Sequence, residues 1–388
     1  MIDERSRSRE WILESCKQNK VNDPTLMEKT IRAFSLLEAL ARSGCPFLFK
    51  GGSALMLQLG CTQRLSVDID IVCPPGTDVI AYLEPYAEEY GFGEIVPTER
   101  LSRTNVPKTH AKCFYQVSYV TNKAQEKVLL DVLFEDVWYT RIEQLPIVSP
   151  FLMTVGEPLA VSLPSKEDLL GDKLTAFAPN TTGIPYIKMV RGRDGSMEER
   201  HCSMEIIKQL FDVASLFDRV DDLAVVRETF GKIAPIELAY RGMESSGVQA
   251  VLDDIYRTAE LVCTGVYTND QSFEFKELQS GVRRIRDLII SESFNQYSAM
   301  VAASKAAYLS VLLRKGVNEI RRYDPAVDLR SERVGTALDD SGQALVSPLI
   351  NKVKALRPEA FWYWKEAERL LGGVLSIGSR FRVQGSGF

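Results

Sequence analysis

The chain has 388 residues, with 47 Lys+Arg, 52 Asp+Glu and a net charge of −5, a length that allows two or three domains with buried cores. Its 45% apolar and 26% charged residues make a globular mix and exclude a disordered chain. Apolar runs such as residues 306–313 fall far short of the roughly 20 residues of a spanning helix, so no membrane partner is expected.

The charged start Met1-Ile2-Asp3-Glu4-Arg5 runs into a helical pattern and does not read as a signal peptide. Residues 8–43 read as two helices. The second is opened by Asp23-Pro24, a capping acid with proline at the first helical position, and is closed by Gly44. A short apolar run, Pro46-Phe47-Leu48-Phe49, leads into Lys50-Gly51-Gly52-Ser53, and a helix resumes over 54–59. Residues 66–73 read as a strand with Val67, Ile69 and Ile71 on one face and Ser66, Asp68 and Asp70 on the other. A helix over 78–90 follows. Two strands come next, over 112–120 and 127–134, joined by the polar turn Thr121-Asn122-Lys123. Pro164-Ser165 introduces a helix that Pro179 stops, and residues 181–200, rich in Gly, Pro and charge, read as a mobile loop. From Cys202 onward the pattern is helical, with breaks over 264–271 and 325–348. The organisation is thus α/β over residues 1–160 and helical over residues 161–388.

Residue counts narrow the chemistry. Seven scattered cysteines with no C-x-x-C pair fit neither a disulfide framework nor a zinc site, and point to a reducing cytoplasm. The only histidines, His110 and His201, lie near no nucleophile motif, which excludes Ser-His and Cys-His mechanisms. Carboxylates and lysines remain. Residues 271–388 hold 18 Lys+Arg against 13 Asp+Glu, leaving −10 for residues 1–270. A basic tail on an acidic body suits either nucleic-acid contact or a solvated helical surface.

One arrangement carries more information than the rest: Gly52-Ser53, then fourteen residues, then Asp68-Ile69-Asp70. Period-two geometry sets Asp68 and Asp70 side by side on one strand face, within reach of shared metal ions. Two Mg²⁺ ions held by carboxylates can activate an attacking hydroxyl and steady a leaving pyrophosphate. Gly-Ser before a helix offers backbone N–H groups and a hydroxyl to phosphate oxygens. Asp131 interrupts the apolar strand Lys127-Val128-Leu129-Leu130-Asp131-Val132-Leu133-Phe134, and a buried acid needs a cation. Placed beside Asp68 and Asp70 it would complete a three-carboxylate metal cage; a structural Lys or Arg partner would explain it too.

Phe49-Lys50-Gly51-Gly52-Ser53-Ala54-Leu55 followed by Arg64-Leu65-Ser66-Val67-Asp68-Ile69-Asp70 resembles the AbiEii/AbiGii-type nucleotidyltransferase toxins. That family is a branch of the polymerase β-like superfamily and forms the toxin half of type IV toxin–antitoxin and phage-defence systems. Its Asp-x4-Lys motif is matched by Asp168 and Lys173, and its later Asp-bearing helix by Leu210-Phe211-Asp212-Val213-Ala214-Ser215-Leu216. Phe211 stands where a basic residue is typical, and Ser215 replaces a second acid. The resemblance covers residues 25–220. It implies a polymerase β-like domain with a mixed sheet, and a helical domain that closes the cleft and completes the site.

The resemblance further implies a Mg²⁺-dependent enzyme that moves a nucleoside monophosphate from an NTP to an acceptor hydroxyl, the 3′ end of tRNA in the first instance. A protein or small-molecule acceptor, or a non-catalytic nucleotide- or partner-binding protein, are the alternatives. Asp68, Asp70 and Asp131 would hold the metal. Gly52 and Ser53 would take the triphosphate, with Lys173 neutralising it and Asp168 beside it. Asp212 would orient Lys173 or contact the nucleotide, and Arg64 would touch phosphate or pair with Asp70. Ser66 is a candidate for phosphorylation by a cognate antitoxin, which would silence the site by charge repulsion. Two further features stay open: Arg283-Arg284-x-Arg286, Arg314-Lys315 and Arg321-Arg322 suit RNA phosphates or a solvated face, and Phe361-Trp362-Tyr363-Trp364 suits base stacking or a core.

Overall fold

Capping chemistry places the first elements. In the computed structural model, which describes residues 1–60, 63–98, 107–120, 124–192, 195–291 and 293–372, α1 (Arg9–Gln18) starts at Ser8, whose hydroxyl accepts from the Trp11 N–H. α2 (Pro24–Ser43) starts at Asp23, which accepts from the Thr25 N–H, and ends at Gly44 with φ +72°. That left-handed value is the reason a glycine stands there. The strand β1 (Leu48–Lys50) runs straight into α3 (Gly51–Gln58), and β2 (Asp68–Cys73) follows. Next come α4 (Val79–Ala87), β3 (Glu94–Thr98), β4 (Lys108–Gln116) and β5 (Gln125–Phe134).

These strands form one sheet in the order β1-β2-β5-β4-β3. β2 and β5 are parallel and every other pair is antiparallel, so the sheet is mixed, as the resemblance implied. The strand expected over 112–120 begins four residues earlier, because β4 stays paired with β5 back to Lys108↔Leu133. The turn assigned to Thr121-Asn122-Lys123 lies outside the described residues. A two-stranded ribbon, β6 (Ile142–Pro146) and β7 (Ala160–Pro164), leads to α5 (Lys166–Ala176), which Ser165 caps.

Residues 181–200 are not a loop. β8 (Ile187–Arg191) and β9 (Met197–His201) pair as a hairpin. The approach to it is held by Asp254, which accepts from the Asn180 backbone N–H at 2.8 Å and from the Thr181 hydroxyl at 2.9 Å. Pairing satisfies the backbone of a segment whose polar composition suggested none.

Helices make up most of the rest: α6 (Ser203–Phe217), α7 (Leu223–Tyr240), α8 (Gly247–Thr268), α9 (Phe273–Arg284), α10 (Gln296–Lys315) and α11 (Pro358–Gly372). α8 continues to Thr268, so the break expected from 264 starts only at Asn269, which takes a left-handed φ of +50°. The apolar interior divides near residue 165. One large cluster draws on residues 12–163 with Leu288, a second on residues 169–367 with Leu55, and Leu48, Val72 and Leu133 form a small third. Phe361, Trp362, Tyr363 and Trp364 are buried in the second. Trp364 donates its indole N–H to Cys263 Sγ, and Phe217 meets Tyr363 edge to face at 5.2 Å. These aromatics are core and not a platform for bases. Among the basic clusters, Arg314 pairs with Asp253, Arg321 with Glu366 at 2.9 Å, and Arg322 binds the Phe217 carbonyl. Among the described residues no helix is long and apolar enough to cross a membrane.

Candidate active site

Strand register builds the site. Lys50 on β1 stands opposite Asp70 on β2, Asp70 opposite Asp131 on β5, and Asp131 opposite His110 on β4. Residues opposite one another project from the same face, so four polar side chains form a row across four strands. Ile69 and Ile71 are buried on the other face. The His110 ring Nδ1 lies 2.5 Å from Asp131 Oδ1.

The turn from β1 into α3 is shaped around these acids. Gly51 has φ +80°, and a Cβ placed on it would lie 2.1 Å from Asp70 Oδ2. Only glycine permits both that backbone and that approach. A Cβ on Gly52 would meet Arg64 Nη2 at 2.7 Å and Ser66 Oγ at 2.8 Å. The first turn of α3 therefore lies open-backed against Asp70, Arg64 and Ser66, and a first helical turn carries N–H groups with no acceptor in the helix. Ser53 behaves otherwise than its motif suggests. It is buried, and its hydroxyl donates to the Asp68 carbonyl at 2.6 Å, which ties α3 to β2. The hydroxyl offered to phosphate on sequence grounds is thus spent on the protein.

Electrostatics differ sharply across the site. Burial, and then the charge of Asp131, push the Asp70 carboxyl above the usual aspartate range, while Lys108, Lys173 and Lys50 pull it partly back. Burial alone would push Lys50 down. Asp172, 3.4 Å away, with Tyr139, Glu135 and Glu237, overcomes that and holds the ammonium well above its ordinary range. Asp212 is fully buried but bound on both oxygens. Arg64 donates from Nε at 2.6 Å and from Nη2 at 2.8 Å, and Lys173 Nζ lies 3.0 Å away. These cations outweigh burial and keep Asp212 below the ordinary aspartate value. A bidentate guanidinium–carboxylate pair is the strongest geometry such groups offer.

Of the residues expected in the site, Gly52, Ser53, Arg64, Ser66, Asp68, Asp70 and Asp131 converge where β1, α3, β2 and β5 meet. Lys173 and Asp212 reach them through Arg64. Arg64 pairs with Asp212, not with Asp70. Asp168 does not join them. Its carboxylate accepts from the Thr140 and Arg141 N–H groups at 2.6 and 2.9 Å, from Ser165 Oγ at 2.6 Å and from the Thr229 hydroxyl. With both oxygens saturated it braces α5 against β6 and α7, in place of the nucleotide contact expected of it. Phe211, where a basic residue was expected, packs edge to face on Phe294 at 5.5 Å. Ser215 donates to the Phe211 carbonyl and to Gln63 Oε1.

Lys50, His110 and Asp172 were missed. Alternation of Lys108, His110 and Lys112 marks one face of β4, but only the pairing with β5 shows that His110 meets Asp131. The three-acid cage is not closed either: among the described residues no three His, Cys, Asp or Glu side chains gather tightly enough to hold a metal. Asp70 and Asp131 nevertheless supply carboxylate oxygens and crowd each other's charge. That donor set fits Mg²⁺, which binds through one or two carboxylates and completes its shell with water and substrate phosphates.

Residues 35–302 match the family profile described as "Nucleotidyl transferase AbiEii toxin, Type IV TA system". The match extends about eighty residues beyond the region in which the motifs were recognised. No curated protein matches. Among solved structures, JHP933 from Helicobacter pylori is 13% identical, covering 75% of this chain and 94% of that one at a TM-score of 0.39. A second H. pylori structure, titled as that of a candidate nucleotidyltransferase, is 14% identical and covers 75% of this chain and 96% of that one, also at a TM-score of 0.39. The profile spans the glycine turn, the acid row, Lys173 and Asp212 together, so the chain belongs to the AbiEii family of type IV toxin nucleotidyltransferases.

Proposed function

We propose that the protein transfers a nucleoside monophosphate from an NTP to the 3′-terminal hydroxyl of tRNA, with Mg²⁺, and acts in this way as the toxin of a toxin–antitoxin or phage-defence pair. The observation that supports this best is the juxtaposition of the Asp70–Asp131 pair with the bare-backbone turn at Gly51 and Gly52. Asp70 and Asp131 would hold Mg²⁺, which when bound would offset the charge of the triphosphate and of the developing pyrophosphate. The N–H groups of the first turn of α3 receive the phosphate oxygens. Arg64 and Lys173, both held on Asp212, add positive field on the same side.

In the transfer the acceptor oxygen forms a bond to the α-phosphorus, the bond to the bridging oxygen breaks, and pyrophosphate leaves with its electrons. The acceptor's hydroxyl proton passes to Asp131, whose neighbour His110 shares a short hydrogen bond with it. A charge placed on Ser66 by an antitoxin kinase would stand where the phosphates must sit and would exclude them. The test is incubation with Mg²⁺, each α-labelled NTP in turn and total tRNA, beside Asp68→Ala/Asp70→Ala. Label on tRNA that requires the acids supports the reading and names the base. Label on protein or on small molecules instead overturns the acceptor assignment.

A further inference from the structure

The acid row ends at a cavity. Lys50, which stands opposite Asp70, lines it, and so does Val72, two residues beyond Asp70 on the same face of β2. Two strand residues span about 7 Å, so the cavity begins one short step from the acids. Its other walls come from the segment after β5, with Glu135, Trp138 and Tyr139, and from α7, with Ile236 and Glu237. It holds about 320 Å³ of empty space, its open mouth included, at the lower end of the roughly 300–1,000 Å³ of small-molecule sites.

These walls sort the two ends of a nucleotide. Glu135, Asp136 and Glu237 all line the cavity, and their carboxylates repel a polyphosphate, which leaves that end to the glycine turn. Glu237 is answered by Arg241. Glu135 accepts from the Tyr240 hydroxyl at 2.7 Å through Oε2 alone. A carboxylate takes about four hydrogen bonds, so Glu135 retains capacity for a further N–H donor. Two aromatic rings stand beside it. Tyr139 is fixed by its hydroxyl, which donates to Asp172 at 3.0 Å. Trp138 keeps 37% of its surface exposed, whereas Trp362 and Trp364 are buried in the helical core. An aromatic face accepts any base by stacking, and a carboxylate beside it selects a base that carries an amino group, as it does for the cytosine N4 amine.

We propose that this cavity receives the base of the NTP, stacked against Trp138, and that Glu135 is a specificity-determining residue which favours amino-bearing bases over uracil. This rests on the nucleotidyl-transfer reading and adds to it a pocket outside the recognised motifs. Calorimetry with ATP, GTP, CTP and UTP tests it, with inorganic tripolyphosphate as the probe of the phosphate end. The wild type, Glu135→Gln and Trp138→Ala are compared, and thermal melts confirm that all three are folded. The tightest of ATP, GTP and CTP is expected to bind the wild type at least about tenfold better than UTP. Glu135→Gln should narrow that ratio below about threefold, because an amide donates to a carbonyl as readily as it accepts from an amine. Trp138→Ala should weaken every NTP about tenfold, and tripolyphosphate should bind all three proteins alike. UTP binding as tightly as the rest, a ratio unchanged in Glu135→Gln, or tripolyphosphate weakened as much as the NTPs overturns the inference, even where transfer is confirmed. Base discrimination that depends on Glu135 in a protein that transfers nothing sustains the pocket while the transfer reading falls.

Discussion

On the sheet, Asp70 and Asp131 stand side by side with their charges in conflict, and burial raises the cost. On α6, Asp212 is buried more completely yet held ionised by a guanidinium and an ammonium. Asp168, on α5, is saturated by four donors. These two acids on the helices therefore have their charges answered within the protein. The sheet region leaves a charge conflict that a cation and a substrate would resolve. Function concentrates where the protein has not satisfied itself.

The sharpest way to break this contrast is to remove charge from each side in turn. Asp68→Ala/Asp70→Ala is expected to lower transfer on the order of a thousandfold while leaving urea stability unchanged or raised, because a repulsion is lost. A large fall in stability would show those acids to be structural. Asp212→Ala should do the opposite to the fold, since it strands Arg64 and Lys173 in the interior. Breaking a buried pair of this kind costs about 3–5 kcal/mol, read from equilibrium denaturation. Gly51→Ala combines strained backbone with overlap on Asp70, and about 1–3 kcal/mol of stability should go along with most activity. His110→Ala removes one hydrogen bond from Asp131 and should cost transfer about tenfold, with His110→Gln losing less. The smallest effect concerns acid stability. Because the Asp212 carboxyl is depressed in the fold, its contribution is present above its unfolded value of 3.8 and fades as pH falls through the lower folded value. Asp212→Asn should lose that acid-sensitive component while the rest of the profile is retained.

Local chemistry was the legible part. Asp23-Pro24, Gly44 and Ser165 mark helix ends by capping and backbone preference, and they sit where those rules put them. The Asp68-Ile69-Asp70 alternation and the lone Asp131 in an apolar strand likewise predicted the shared face. Pairing between distant segments was not legible. That Asp131 meets His110, that Lys50 lies on Asp172, and that Asp168 turns away from the acid row all depend on which elements pack together. The hairpin at 187–201 was hidden for a related reason. Its exposed strands carry polar residues on both faces, so no apolar alternation announced them. Ser53 is the instructive middle case, with its position foreseen and its partner, the Asp68 carbonyl, visible only in three dimensions.

The Arg64–Asp212 bridge joins residues 148 positions apart, and this bears on how the chain is made. A ribosome releases the glycine turn and the acid row first, in a segment whose Arg64 still lacks its counter-ion Asp212 and that counter-ion's second cation, Lys173. The bridge can close only after α6 has emerged, when more than half of the chain has been synthesised. A cell translating this toxin therefore holds an incomplete site for much of each round of synthesis, and truncated products that stop short of Asp212 lack the carboxylate on which both cations converge.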